Sequence, residues 1–261
     1  MATLSVVMAT YNKVHWVGEM LVSIFNQDYR PDEIVIYDDG STDGTYELLR
    51  GLKKMRGDMK VFRGEQNTGY PSLPYQLALE KASGDYVSVV GADDMLLPNF
   101  YDDLMSYAKD HPDADLIYGN IVYMDGESVP IPRVYPPEPH LIYRKCSVGL
   151  VTSLMKKSMM DALGGFDTEL TYSEDWDLMI RIFKSHFRKE YAGTYGYVGR
   201  VIAQNAEQVH SPIKAIDRKR GLIYFDITSP RRKNSHALIL KMNGLPGPCL
   251  CGCKASPGDC V

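Results

Sequence analysis

Four short apolar runs, LSVVM at 4–8, EIVIY at 33–37, MKVFR at 59–63 and DYVSVV at 85–90, recur at intervals with amphipathic stretches between them. No other feature of the chain constrains its fold as strongly. Continuous apolar runs of this length read as strands covered on both faces. Between the first two, Val14, Val17, Leu21, Ile24 and Phe25 are spaced for a helix over 14–26. Asp43 opens a second helix carrying Tyr46, Leu49 and Leu52, and Leu73, Leu77 and Leu79 mark a third behind the turn QNTG at 66–69. Pro98 can open a fourth, running to about Lys109, as a first-turn proline does. Strand and helix in alternation predict a mostly parallel α/β sheet with right-handed crossovers. Such sheets bind ligands beyond the carboxyl ends of their strands. There the sequence places Thr10-Tyr11-Asn12, Asp38-Asp39, Asn67 with Gly69, and Asp93-Asp94.

The later part of the chain is less regular. Residues 115–118 and 121–124 read as strands. The proline-rich stretch 125–150 reads as a long loop or an excursion of edge strands. Leu150–Leu154 reads as a strand and Lys156–Leu163 as a helix, with a GGFD turn at 164–167. Ser173 is placed to cap a helix starting at Glu174, with Trp176, Ile180 and Phe183 on its apolar face. Tyr197–Ala203 reads as a strand, and one amphipathic helix is expected after residue 213.

With 44% apolar and 24% charged residues the chain has the balance of a globular protein that buries a substantial core. No stretch reaches the roughly 20 apolar residues of a membrane helix. MATLSVVMATYN lacks the charged and apolar regions of a signal peptide, so the expected location is cytoplasmic, with a peripheral membrane position open. The net charge of -4 is uneven: residues 213–261 hold nine Lys/Arg against three Asp/Glu. An acidic body argues against gripping nucleic acid by charge, whereas the basic extension could meet an anionic partner or simply be solvated. One cysteine, Cys146, lies in the body, which fits a reducing compartment. Cys249, Cys251, Cys253 and Cys260 cluster in the tail at spacings imperfect for a structural Zn²⁺ site.

Three acidic groups carry candidate chemistry. Asp38 and Asp39, before GSTDGT, could accept hydrogen bonds from a ribose diol or a base N–H. Asp43 is expected to act only as a cap, which leaves the other two to be explained. Asp93 and Asp94 repel each other unless a cation or donor intervenes, which suits Mg²⁺ or Mn²⁺ with a diphosphate completing the shell, or a plain surface turn. In SEDWD, Asp175 falls in the first turn of a helix, where the dipole favours the ionised carboxylate and makes it available as a proton acceptor. Favourable helix-end charge without catalysis explains it equally well.

Taken together, SVVMATYN, SIFNQDYRPDEIVIYDDGSTDGT, NTGYPSLPYQLALEKASGDYVSVVGADD and GGFDTELTYSEDWDLMIRI resemble a family 2 glycosyltransferase of the GT-A fold. The resemblance runs from about residue 4 to 183. It implies a nucleotide-binding half over about 1–120, an acceptor half over about 121–212 and a basic extension over 213–261. It implies inverting transfer of a sugar from a nucleotide donor, UDP before GDP or dTDP, to a hydroxyl of a glycan, lipid-linked or other acceptor. Thr10, Tyr11 and Asn12 would line the base and ribose pocket, with Asp38, Asp39, Asn67 and Gly69. Asp93 would hold Mn²⁺ or Mg²⁺, with Asp94 nearer the sugar. Asp175 would be the base, with Glu174 beside it, and the GGFD turn would shape the acceptor side. Two departures stand out. The pattern's first carboxylate is replaced by Gly91, and the histidine expected near 202, beyond Arg200, is absent, leaving His210 as a candidate metal or phosphate ligand. The rival reading is a GT-A-like binding module that has lost catalysis and engages nucleic acid or a protein through its tail. A nucleotidyltransferase ranks last, since MATYNKVHW lacks a basic glycine-rich loop.

Overall fold

The computed structural model describes residues 2–201, apart from the side chains of 132 and 133, and the backbone of 213–217 and 222–225. Parallel pairing organises its first half. Strand β1 (Leu4–Thr10) leads through helix α1 (Val17–Phe25) to β2 (Glu33–Asp38). Helix α2 (Thr45–Met55) leads to β3 (Met59–Arg63), and α3 (Ser72–Leu79) to β4 (Tyr86–Gly91). A short β5 (Met95–Leu96), helix α4 (Phe100–Asp110), β6 (Leu116–Tyr118), β7 (Ile121–Asp125) and β8 (Pro130–Tyr135) follow. Then come β9 (Ser153–Lys156), α5 (Lys157–Ala162), α6 (Glu174–Lys184), β10 (Lys189–Tyr191) and β11 (Tyr197–Val201).

Seven strands form the main sheet in the order β10-β6-β9-β4-β1-β2-β3. All pairs are parallel except those of β9 with β4 and β6, because β9 enters from the opposite end. A second sheet, β5-β11-β7-β8, stands beside it. Its edge strand β8 carries Pro130 and Pro132, which lack the N–H a central strand must donate.

Alternation along the central strands sorts the core into two layers. Leu4, Val6, Met8, Ile34, Ile36 and Val90 face α1 and α4, while Val7, Val35, Val87 and Val89 face α3, α5 and α6. Both faces are therefore dry, which is why apolar residues fill successive positions of these strands rather than every second one, the few polar ones such as Ser5 and Ser88 being buried as well. Trp176 of α6 is fully buried in the second layer and donates Nε1–H to the carbonyl of Ile142 at 2.7 Å. That bond ties the loop after β8 to α6.

Several sequence expectations need correction. In α3 the buried positions are Ser72, Pro74, Ala78 and Leu79, so Leu73 and Leu77 lie at the margin. A 3-10 turn occupies Leu150–Thr152, and the strand starts only at Ser153. Helix α6 begins at Glu174 as expected, but Ser173 sits in the left-handed region at φ 59° and makes no side-chain capping bond. Within the extension, Ile213–Asp217 (β12) and Leu222–Phe225 (β13) pair as an antiparallel hairpin, not a helix. Isoleucine and aromatic residues favour a pleated surface, and so short a helix gains little without packing. His210, the candidate metal or phosphate ligand, and the tail cysteines, with the Zn²⁺ site weighed for them, lie outside the described residues.

Candidate active site

The carboxyl edge of β4, β1 and β2 gathers the sequence-predicted residues. Thr10 lies opposite Asp38 in the β1–β2 register, and Ala9 opposite Gly91 in the β1–β4 register. The loops after these strands therefore emerge side by side, with strands about 4.8 Å apart.

At the β1–β2 end the loops are wired to each other. Asn12, at φ 50°, receives a hydrogen bond from the Thr42 N–H on Oδ1 at 2.9 Å, while its own N–H donates to Ser41 Oγ at 2.9 Å. Asp43, expected to cap α2, accepts from the N–H groups of Thr45 and Val14 at 2.9 and 3.1 Å, but the helix starts at Thr45 and its N-cap position is Gly44. Gly40 is required here, because a Cβ at that position would lie 2.7 Å from the backbone of Gln66. Asp38 is fully buried, with Oδ2 3.1 Å from the Ser41 N–H and 3.6 Å from Arg63 Nε. Asp39 accepts on Oδ2 from the N–H and hydroxyl of Thr68, at 3.0 and 2.8 Å. Burial raises both carboxyls above their ordinary range, against the hydrogen bonds from Ser41 and Thr68. Among the described residues three buried oxygens here have no hydrogen-bond partner: Thr10 Oγ1, Asp38 Oδ1 and Asp39 Oδ1. Leaving such atoms unpaired is costly. Three on two neighbouring strand ends form an acceptor-rich cradle that a ligand's N–H or O–H groups would satisfy. Tyr11 is partly exposed at the same edge. Asn67 and Gly69 close their own turn, the Gly69 N–H donating to Asn67 Oδ1 with Gly69 at φ 86°.

At the β4 end the two aspartates diverge. Asp93 Oδ2 is 2.8 Å from the ammonium of Lys13. Asp94 turns inward, accepting from the Tyr197 hydroxyl at 2.5 Å and the Arg200 N–H at 2.7 Å. Burial, then the neighbouring Asp93, raises its carboxyl well above the usual range. Arg200 is itself buried, donating to the Asp93 carbonyl at 2.6 Å and to Glu19. The glycine at 91 has a packing reason: a Cβ there would lie 2.5 Å from Asp94 Oδ2.

Helix α6 brings the third acidic group. Asp177 points inward to Arg181 at 2.8 Å, and Arg181 also holds the carbonyls of Leu163 and Gly165. The GGFD turn is thus fastened from inside, with Gln76 Oε1 accepting the Phe166 N–H at 2.9 Å. Asp175 Oδ1 accepts from the Trp176 N–H at 2.7 Å, and its Oδ2 lies 3.7 Å from Cys146 Sγ. Burial, then Asp175, raises Glu174 well above the ordinary carboxyl range.

One residue reports that these groups meet. The Tyr75 hydroxyl, 3.2 Å from the Val90 carbonyl, is raised first by burial and then by the charges of Glu174, Asp93, Asp94 and Asp175 together. Carboxylates from β4 and α6 therefore share one neighbourhood. Lys13, Tyr75 and Tyr197 escaped the sequence reading, because a lone lysine or tyrosine in a loop, helix or strand carries no signal until the fold shows what it touches.

This sheet, with its acidic carboxyl edge, is the GT-A fold of glycosyltransferases. The chain belongs to glycosyl transferase family 2, whose model matches residues 5–166, more than half of its length. Among curated relatives, the candidate glycosyltransferase EpsE of Bacillus subtilis (strain 168) is 26% identical over 189 residues, covering 70% of this chain and 68% of its own. The poly(ribitol-phosphate) β-N-acetylglucosaminyltransferase TarS of Staphylococcus aureus (strain Mu50) is 30% identical over 132 residues, half of this chain but only 23% of TarS. A crystal structure of S. aureus TarS 1-349 with UDP-GlcNAc superposes with a TM-score of 0.67 at 21% identity, covering 92% of this chain and 66% of that one. The mannosyltransferase PcManGT from Pyrobaculum calidifontis, with GDP-Man and Mn²⁺, superposes at 0.57 with 19% identity, covering 76% and 56%. Among the described residues no helix is long and apolar enough to cross a membrane.

Proposed function

We propose that the chain transfers a sugar from a nucleotide-diphosphate donor, of the UDP type, to an acceptor hydroxyl with inversion at the anomeric carbon. The convergence of the β4 and α6 carboxylates around Tyr75 carries this reading. The unsatisfied oxygens of Thr10, Asp38 and Asp39 on the adjoining strand ends support a nucleoside site next to it. The UDP-GlcNAc bound by TarS favours UDP over GDP.

Residues 1–120 would then hold the donor and 121–212 the acceptor. The cradle orients the base and ribose, which places the diphosphate toward Asp93 and the sugar toward α6. The acceptor hydroxyl attacks from the face opposite the nucleotide. Asp175 takes its proton as the new bond forms. Burial and the neighbouring Asp175 raise the Glu174 carboxyl, so this adjacent pair holds back one proton more readily than two isolated carboxyls would. Among the described residues, Asp93 offers a hard oxygen donor on which Mn²⁺ or Mg²⁺ would sit, whereas both oxygens of Asp94 are engaged internally. Such an ion offsets charge on the leaving diphosphate.

Asp175→Asn is the test. The variant should bind UDP like the parent and lose at least about a hundredfold in transfer from UDP-GlcNAc or a related donor, the scale of a general base. Undiminished transfer refutes the role of Asp175. A parent protein that binds no nucleotide in a thermal-shift panel refutes the proposed function.

A further inference from the structure

Lys13 is the one cation that the structure sets directly on Asp93 among the described residues. Its place is built. The Lys13 N–H donates to Thr45 Oγ1 at 2.9 Å, and that hydroxyl in turn donates to Asp43 Oδ1 at 2.5 Å. The backbone of residue 13 is thereby pinned to the start of α2. The ammonium, 5.6 Å from the centroid of the Trp16 ring, reaches from the end of β1 to Asp93 in the turn after the neighbouring β4, 80 residues away. Both side chains remain about one-sixth exposed, 16% and 15%, so solvent and solute reach the pair. The cradle of Thr10, Asp38 and Asp39 stands at the adjoining ends of β1 and β2, and Asp93 shares the surroundings of Tyr75 with Asp175 and Glu174. A diphosphate linking a nucleoside in the cradle to a sugar at α6 would run by the end of β4, where this ammonium sits on Asp93.

We propose that Lys13 is a charge latch of the donor site: its ammonium neutralises Asp93 in the free protein and moves to the diphosphate when a nucleotide binds. The inference rests on the donor-site reading above and adds to it a residue and an order of events. An ammonium on Asp93 opposes a divalent cation at the same oxygen, since two positive charges would share one carboxylate. Release of Lys13 to a phosphate oxygen removes that opposition and supplies a charge-assisted bond in exchange. Nucleotide and cation should therefore bind in a coupled manner, each more tightly in the presence of the other. The cradle holds the nucleoside without help from Lys13, so uridine alone should not trip the latch.

The experiment compares the parent chain with Lys13→Met and Lys13→Arg, each checked for folding by its thermal transition. Calorimetry with UDP in EDTA should show Lys13→Met weakened by about tenfold or more, the scale of a hydrogen bond to a charged group, with Lys13→Arg near the parent. Uridine should bind all three alike. Titration with Mn²⁺ alone should show tighter binding to Lys13→Met than to the parent. Equal UDP affinity of parent and Lys13→Met in EDTA, or unchanged Mn²⁺ affinity without nucleotide, overturns the latch while leaving the donor site standing. A parent that binds no UDP even with Mn²⁺ overturns the donor-site reading and the latch with it. If Lys13→Met does not fold, Lys13→Gln takes its place under the same criteria.

Discussion

Replacing Gly91 by alanine tests the account of the β4 terminus with a single carbon. The backbone there is not in the left-handed region, so alanine in a strand would ordinarily be favoured over glycine by about 0.5–1 kcal/mol. The new Cβ, however, would lie 2.5 Å from Asp94 Oδ2 and 3.4 Å from the Tyr197 hydroxyl. Asp94 cannot simply swing aside, because Oδ2 holds the Tyr197 hydroxyl at 2.5 Å and Oδ1 the Arg200 N–H at 2.7 Å. Relief means giving up one bond to a buried carboxylate, which costs about 1.5–3 kcal/mol. The net expectation is a loss of about 1–2 kcal/mol, or a fall in Tm of roughly 2–8 °C for a chain of this size. Urea and thermal unfolding of Gly91→Ala, Tyr197→Phe and the double variant measure it. In the Tyr197→Phe background the displaced bond no longer exists, so Gly91→Ala should cost at least about 1 kcal/mol less there. A Gly91→Ala protein as stable as the parent, or strictly additive single effects, refutes the reasoning. Gly91→Asp, which restores the carboxylate of the family pattern, should be less stable still.

Other expectations concern separate parts of the molecule. Glu33 is buried, which opposes its ionisation, yet bonds from Lys60, Ser5 and Ser83 hold its carboxyl down to about 2 from 4.5. Between those values the native state binds fewer protons than the unfolded chain, so this stability is full above about pH 4.5 and drains away as the pH falls toward 2. Glu33→Gln should cost about 2–3 kcal/mol at pH 7 and flatten the acid limb of the stability profile, and an unchanged acid limb contradicts the network. Asp39→Ala should weaken UDP binding by about tenfold or more without altering the thermal transition of the free protein by more than a few degrees, read by calorimetry. Trp176→Phe keeps most of the packing but orphans the Ile142 carbonyl, at a cost of about 1–3 kcal/mol in urea unfolding.

How far the sequence reaches differs from element to element. Strands β1, β2 and β4 were legible because burial on both faces leaves runs such as LSVVM and EIVIY mostly apolar at successive positions, and the half-covered β3 because a run of similar length recurs at the same interval. The loop residues at their ends followed, since parallel order alone brings those ends to one edge. Helix α6 was legible from its spacing, but not the left-handed Ser173 before it, which depends on how the chain enters the helix. The shift of the buried face of α3 toward Ser72 and Pro74 also escaped, because the packing partners, not the leucines, set its rotation. Of the acidic candidates, spacing showed the pairs but not which member faces where.

Local patterning thus settled the alternation of strand and helix in the first half, with its parallel direction, and the identity of the acidic loops, because these follow from short-range periodicity and chain direction. The order β4-β1-β2-β3 within the sheet came from the fold. The inward turn of Asp94, the partnership of Lys13 with Asp93, the reason for a glycine at 91 and the meeting of α6 with β4 around Tyr75 came from the assembled fold. The bonds of Asp93 to Lys13 and of Asp94 to Tyr197 join residues 80 and 103 positions apart. Nothing in a stretch of neighbouring side chains encodes a distance across strands, which exists only once the sheet has closed and its helices have packed.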